Sequence, residues 1–171
     1  MPAHAQASIR HLTSTGAAIR ETCRSLTPEE SRWREAEEKW SILEIVNHLL
    51  DEEILDFRTR LSLTISDPSK DWPPIDPKRW VIEKDYQNRD LGDSLEKLAE
   101  ERGRSIEFLE SITDDELGSV HPHPTLGEMR AGDILHSWVA HDLLHLRQIA
   151  RVRYRMLASA AYDVAYAGRF T

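Results

Sequence analysis

Apolar residues recur at three- and four-residue steps along much of the chain, the spacing of amphipathic helices. Ile9, Leu12, Ala17, Ile19 and Cys23 lay a loose stripe on a first helix over about residues 5–26. Thr27-Pro28-Glu29-Glu30 stops and restarts the chain: Thr27 caps, Pro28 takes the first helical position, and the acids suit the first turn. A short helical turn through Trp33 follows. In Trp40-Ser41-Ile42-Leu43-Glu44 the Ser41 and Glu44 pair has capping-box spacing. Ile42, Ile45, Val46, Leu49, Phe57 and Leu61 then share one face of a second helix expected to persist to about Leu63. A third helix opens near residues 90–93, where Asp93 and Glu96 again have capping-box spacing, and Leu95, Leu98, Arg102, Ile106 and Leu109 carry its stripe to about Ile112. The last helix runs over about residues 131–157, with Ile134, Leu135, Trp138, Ile149, Val152 and Met156 on its core face. Thr125-Leu126-Gly127-Glu128 and Gly132-Asp133 are read as lying just ahead of it. The Ala- and Tyr-rich tail, residues 158–171, reads as continued helix or as an extended arm.

The connections carry their own information. Residues 66–80 form the longest loop, with Pro68, Pro73, Pro74 and Pro77 and with Trp72 and Trp80 among them. It exceeds the usual connection length, which suits a crossover or a cover over a site, with the tryptophans pinning it to the helices. Pro122 and Pro124 stop any helix before the last one, and no segment reads as a strand. Four long amphipathic helices predict an all-α four-helix bundle, a single domain over residues 1–171.

Composition narrows the function. The chain has 171 residues with 22 Lys and Arg against 30 Asp and Glu, a net charge of −8. Such a surface disfavours nucleic acid as a partner, because phosphate contacts need clustered cations. With 7 Gly and 8 Pro the chain is too poor in turns for a sandwich or barrel. The first ten residues lack the apolar stretch of a signal peptide, and no apolar run approaches the ~20 residues of a membrane span, so a cytoplasmic protein without membrane contact is expected. Cys23 is alone, which leaves no intrachain disulfide and no cysteine-based zinc motif.

Histidine is the less ordinary count, at 8. His4 and His11 belong to the first helix or the residues before it, and His121 and His123 to the Pro-punctuated connection. His141 and His145 are four apart, hence one turn apart on one helix face. At about 100° per residue both imidazoles fall within the apolar stripe of Trp138, Ile149 and Val152, whereas His136 faces away. Buried imidazoles need partners. The pair is either two hydrogen-bonded core histidines or part of a shared metal site. A divalent site with an open position needs a third ligand. No histidine follows His145, so His48 on the second helix is the best candidate. Glu52 shares its face and could be a ligand, a base or an orienting group. Glu44 lies one turn earlier, and the plain alternative for both acids is a solvated face. Asp142 stands where HExxH proteases carry glutamate, but its shorter side chain and the missing downstream ligand argue against that chemistry. It is expected to orient a histidine or to pair with Arg147 or Arg151. Arg147, Arg151, Arg153 and Arg155 suit a helix C-terminus without any ligand.

Residues 40–49, Trp40-Ser41-Ile42-Leu43-Glu44-Ile45-Val46-Asn47-His48-Leu49, resemble the second-helix signature of the DinB-like superfamily. Residues 132–149, with His141-Asp142-Leu143-Leu144-His145 and the following Gln148, resemble its last-helix signature, and Asn88-Arg89-Asp90-Leu91 is similar to the segment ahead of its third helix. The resemblance covers about residues 40–155. It implies an up-down-down-up bundle in which the 66–80 loop is the crossover. It implies a divalent nickel, zinc, iron or manganese ion on His48, His141 and His145; by their own placement Glu52 or Asp142 could assist such an ion as base or supporting group. It implies a homodimer, and a metal-dependent S-transferase using a low-molecular-weight thiol, or a hydrolase, acting on a small-molecule substrate. A non-catalytic metal-binding stress or interaction module is the alternative. Fold and metal site transfer within such a family more safely than reaction does.

Overall fold

The computed structural model describes residues 3–161 and 163–168. Helix α1 (Ala3–Cys23) ends three residues before the predicted Leu26 and is followed by the short α2 (Pro28–Arg32). Thr27 caps α2 in a complete capping box with Glu30. Ser41 and Glu44 make the same reciprocal box at the start of α3 (Ile42–Asp51), and a cap of this kind is worth about 1 kcal/mol. Helix α3 continues through a π-helical stretch, Glu52–Arg58, into α4 (Thr59–Ser66), so the second long helix is one rod with a widened turn in its middle. The Thr59 hydroxyl donates to the Ile54 carbonyl five residues back (2.7 Å), which satisfies a carbonyl inside that turn. Helical periodicity cannot foretell such a turn, since one extra residue per turn leaves no mark on composition.

The crossover loop is shorter than expected. Asp76 caps α5 (Pro77–Glu83), so Trp80 is helical. A 3-10 turn (Tyr86–Asn88) leads into α6 (Leu91–Ser111), which is capped by Asp90 and not by Asp93, whose backbone N–H is the group received. After α7 (Asp114–Leu117) comes a two-stranded hairpin, β1 (Val120–His123) and β2 (Gly127–Arg130), where no strand was expected. His121 and His123 therefore sit on a strand. Two four-residue strands broken by Pro122 are too short to show alternation. The turn closes on Gly127 at φ 77°, left-handed backbone that glycine adopts without a Cβ clash. Helix α8 (Ala131–Ala158) begins directly after β2, so Gly132 and Asp133 lie in its first turn. The tail neither extends α8 nor stays wholly extended: a 3-10 turn spans Ala165–Ala167, and residues 1, 2, 162 and 169–171 lie outside the described residues.

Contacts give the bundle order. Thr15 meets Asp142 and Thr22 meets Arg153, so α1 and α8 are parallel neighbours. Asn47 meets Ser94 and Glu53 meets Arg102, so the α3–α4 rod and α6 are parallel as well. His48 meets His145 while Phe57 stacks on Trp138, which makes the rod and α8 antiparallel. This is the up-down-down-up arrangement, and chain 67–90 makes the crossover between the two parallel helices. The core forms two apolar clusters, one around Ile19, Val46, Leu95 and Ile149 and one around Leu12, Leu61, Leu109 and Trp138. Between them lies a buried ionic knot. Arg102, placed by its spacing in the apolar stripe of α6, donates to Glu53 (2.9 and 2.7 Å), to Asp142 (2.6 and 3.1 Å) and to the Leu12 carbonyl (2.9 Å). No helix among the described residues is long and apolar enough to cross a membrane.

Candidate metal centre

His48 projects from α3, and His141 and His145 project from adjacent turns of α8. Their Nε2 atoms converge: His48 lies 3.3 Å from His141 and 3.1 Å from His145, and the last two are 3.1 Å apart. Nitrogens so spaced can all stand about 2.0–2.1 Å from one common point, the bond length imidazole makes to a divalent ion. Three lone pairs turned on one another cannot satisfy one another through hydrogen bonds alone, since a donor proton serves one acceptor. The donor set therefore fits a cation. Among the described residues it is the one cluster of three or more metal-ligating groups.

Supporting groups set the imidazoles' orientation. Gln148, three residues after His145 and so on the same face, accepts from His145 Nδ1 (2.8 Å). That bond puts the ring proton on Nδ1 and leaves Nε2 as a free donor of electrons. Glu52 lies behind His48, its Oε1 3.9 Å from Nδ1, too far for a hydrogen bond. The widened turn buries Glu52, Glu53 and Asp56 together, with Glu52 toward His48 and Glu53 toward Arg102 and the Trp138 indole. Trp40 leans on His48 with ring centroids 4.8 Å apart and lies nearly parallel to His145, while Phe57 packs on His141 at 5.0 Å. These rings wall the centre on two sides.

Burial sets the protonation. Desolvation, reinforced by the charge the neighbouring imidazoles would carry, pushes His48 down to about 2. Desolvation and His145 push His141 down to about 4, and desolvation lowers His145 against the raising effect of Gln148. All three are neutral near pH 7, the form that ligates. Glu52 is raised to about 8, first by desolvation and then by its hydrogen bond with Asp56.

The structure thus brings His48, His141 and His145 to one point and places Glu52 beside them. Asp142 points elsewhere: its partners are Arg102 and the Thr15 hydroxyl, neither an imidazole nor Arg147 or Arg151. Arg151 reaches Glu35 instead. Glu44 and Glu52 are buried, not solvated; Glu44 accepts from the Ser41 backbone and pairs with Arg34. His136 is exposed, on the face away from the pair. Gln148 was legible from its i+3 spacing to His145. The signal for the ionic knot was an arginine inside an apolar stripe, which demands buried acids opposite it.

A family model described as the DinB superfamily matches residues 11–149. Over 129 residues, 75% of this chain and 73% of the relative, the chain is 28% identical to the Oceanobacillus iheyensis protein named "Putative metal-dependent hydrolase OB0413". Over 119 residues, 68% of this chain and 66% of the relative, it is 31% identical to the Bacillus subtilis protein named "Putative metal-dependent hydrolase YfiT". The solved structure of that Bacillus subtilis protein, described as "a probable metal-dependent hydrolase with an unusual four-helix bundle topology", matches with a TM-score of 0.81 at 23% identity, covering 91% of this chain and 90% of that one. At that identity the structural likeness carries the fold.

Proposed function

The chain belongs to the DinB superfamily, and on that premise we propose that it is a metal-dependent hydrolase of small molecules whose divalent ion is held by His48, His141 and His145. The observation that carries this reading is the convergence of three Nε2 atoms, a cluster that no carboxylate among the described residues joins. Glu52 stands at the Nδ1 edge of His48, the edge turned away from the convergence point, so it orients the ligand and does not close the coordination sphere. A closed sphere of four protein ligands would favour a purely structural metal, and the position of Glu52 argues against one. His48, His141 and His145 would hold a nickel, zinc, iron or manganese ion there, and its chemistry would be Lewis acidity that lowers the pKa of a water or thiol nucleophile.

The chain's own residues supply the rest. Gln148 fixes the tautomer of His145, and Glu52 backs the Nδ1 edge of His48. Trp40 and Phe57 keep bulk water from the imidazoles. A thiol nucleophile for the transferase variant of this chemistry would come from outside the chain, because burial pushes the Cys23 thiol up to about 12. A homodimer is part of the same proposal, with the exposed Leu143 and Leu144 of α8 as apolar surface available for it.

The test is reconstitution with each of the four metals, elemental analysis, and assay against a panel of esters and amides. One ion per chain with metal-dependent hydrolysis is the expected result. No bound ion refutes the centre, and a bound ion without turnover on any substrate or thiol refutes the catalysis.

A further inference from the structure

Six buried side-chain atoms among the described residues lack a well-directed hydrogen bond: His48 Nδ1, Glu52 Oε1, Asp56 Oδ1, Arg60 Nε, Thr64 Oγ1 and Trp72 Nε1. Five of them fall on one stripe of the α3–α4 rod, at four-residue steps from the imidazoles toward the crossover loop. The sixth lies on that stripe, because the Trp72 ring covers the Arg60 guanidinium, centroid to Cζ 4.9 Å. Four of the six face one another in pairs, Asp56 Oδ1 with Arg60 Nε at 2.7 Å and Glu52 Oε1 with His48 Nδ1 at 3.9 Å, which leaves Thr64 Oγ1 and Trp72 Nε1 without any partner. Buried polar atoms are paired in the great majority of cases, so two such atoms beside one arginine mark a place built for something else.

The lower end of the stripe has a consistent chemistry. Arg60 Nε faces Asp56 Oδ1 at 2.7 Å, and its guanidinium lies under the Trp72 ring. One turn on, the fully buried Thr64 hydroxyl is unpaired. Trp72 is held in place by stacking on His121 at 4.2 Å and 14°, and His121 is held by its Nδ1 donating to the Pro68 carbonyl (3.0 Å). The indole N–H is thereby fixed without an acceptor. Guanidinium, hydroxyl and indole N–H are all donors, so what satisfies them is an oxygen acceptor.

We propose that Arg60, Thr64 and Trp72 form a subsite for the carboxylate of a small-molecule ligand. A planar carboxylate matches the fork of a guanidinium. Asp56 already offsets part of the Arg60 charge, which suits a singly charged carboxylate better than a phosphate. His48 and Arg60 are separated by about 18 Å of helix, so a ligand engaging both the metal centre and this subsite is an extended one. That last point rests on the metal-centre reading; carboxylate binding itself does not.

The test uses the intact metal-free protein with its five tryptophans 15N-labelled at the indole, the Trp72 signal being assigned with Trp72→Phe. Hexanoate is expected to shift that signal saturably at pH 7, with hexanamide at least about tenfold weaker. Arg60→Gln and Thr64→Val should each weaken hexanoate about tenfold or more, the size of a charge-assisted hydrogen bond. Thr64→Val is nearly isosteric and carries the test if Arg60→Gln fails to fold. No saturable shift with hexanoate, meaning that ordered water alone serves these donors, overturns the subsite. Equal affinity for hexanamide, or unchanged affinity in the folded variants, overturns it as well. Because no metal is present, failure of the metal centre leaves this result untouched.

Discussion

Arg102→Met tests whether the ionic knot holds the bundle together. The guanidinium joins α6 to the three other long helices through five hydrogen bonds, to Glu53, Asp142 and the Leu12 carbonyl. Methionine nearly conserves the volume and removes all five. Glu53 then keeps the Trp138 indole N–H (3.2 Å) and Asp142 keeps the Thr15 hydroxyl (2.8 Å), but two buried carboxylates are left without a cation. Removing one partner of a buried ionic group costs about 3–5 kcal/mol, against a total stability of about 5–15 kcal/mol for a domain. At about 2–4 °C per kcal/mol for a chain of this size, the melting temperature should fall by roughly 6–20 °C. The loss should shrink on acidification. Burial already raises the Glu53 carboxyl, and without Arg102 it rises further. The folded state then binds a proton that the unfolded chain lacks above its ordinary carboxylate pKa, so stability returns as pH falls toward 5. Urea unfolding followed by circular dichroism at pH 7 and pH 5 measures both effects. The combination Arg102→Met, Glu53→Gln and Asp142→Asn removes all three charges and should lie closer to wild type than the single variant does. A single-variant loss under about 1 kcal/mol, the range of ordinary surface changes, would refute this account, as would a triple variant no more stable than the single one.

Other consequences are measurable on the same protein. Gln148→Leu should weaken zinc binding by about 10–100-fold, as loss of a ligand's supporting bond does, and His48→Ala or His145→Ala by more, while His136→Ala changes nothing; competition with a chelator decides, and equal loss in His136→Ala sinks the proposed centre. Acid should destabilise the metal-free protein, because below pH 6.5 the unfolded chain takes up a proton that folded His141 refuses until about pH 4. The cost from this residue is up to about 3 kcal/mol across that window, and a melting temperature flat between pH 6.5 and 4 would contradict it. Glu52 has the opposite sign: its folded pKa of about 8 lies above 4.5, so stability held by the protonated form is lost as pH rises through that range. Glu52→Gln should remove the slope between pH 7 and 8.5, where the histidines no longer titrate, and an unchanged slope in urea unfolding would reject the assignment.

Much of this molecule is legible residue by residue. Caps are local chemistry, so Thr27 and Ser41 announce α2 and α3, and the stripe of α8 places His141 and His145 on one face because 100° per residue is a property of any helix. The failures have local reasons too. Asp90 and Asp93 are both competent caps, and which of them is used depends on where the Tyr86–Asn88 turn delivers the chain. The hairpin carries two prolines and no alternation. Glu44 reads as a surface acid because nothing in its own segment reveals that Arg34 folds back onto it.

Local patterning, which depends on neighbours three or four residues away, therefore determined four amphipathic helices, their caps and a histidine pair on one helix face. Tertiary structure alone decided what those faces meet. Bringing His48 within 3.3 Å of residues 93 and 97 positions away requires a fixed rotation of the α3–α4 rod against α8, and that rotation depends on the widened turn and on Arg102, Glu53 and Asp142 from three different helices. Partners that far apart in sequence leave no period to read, because their positions answer to packing in space and not to spacing along the chain.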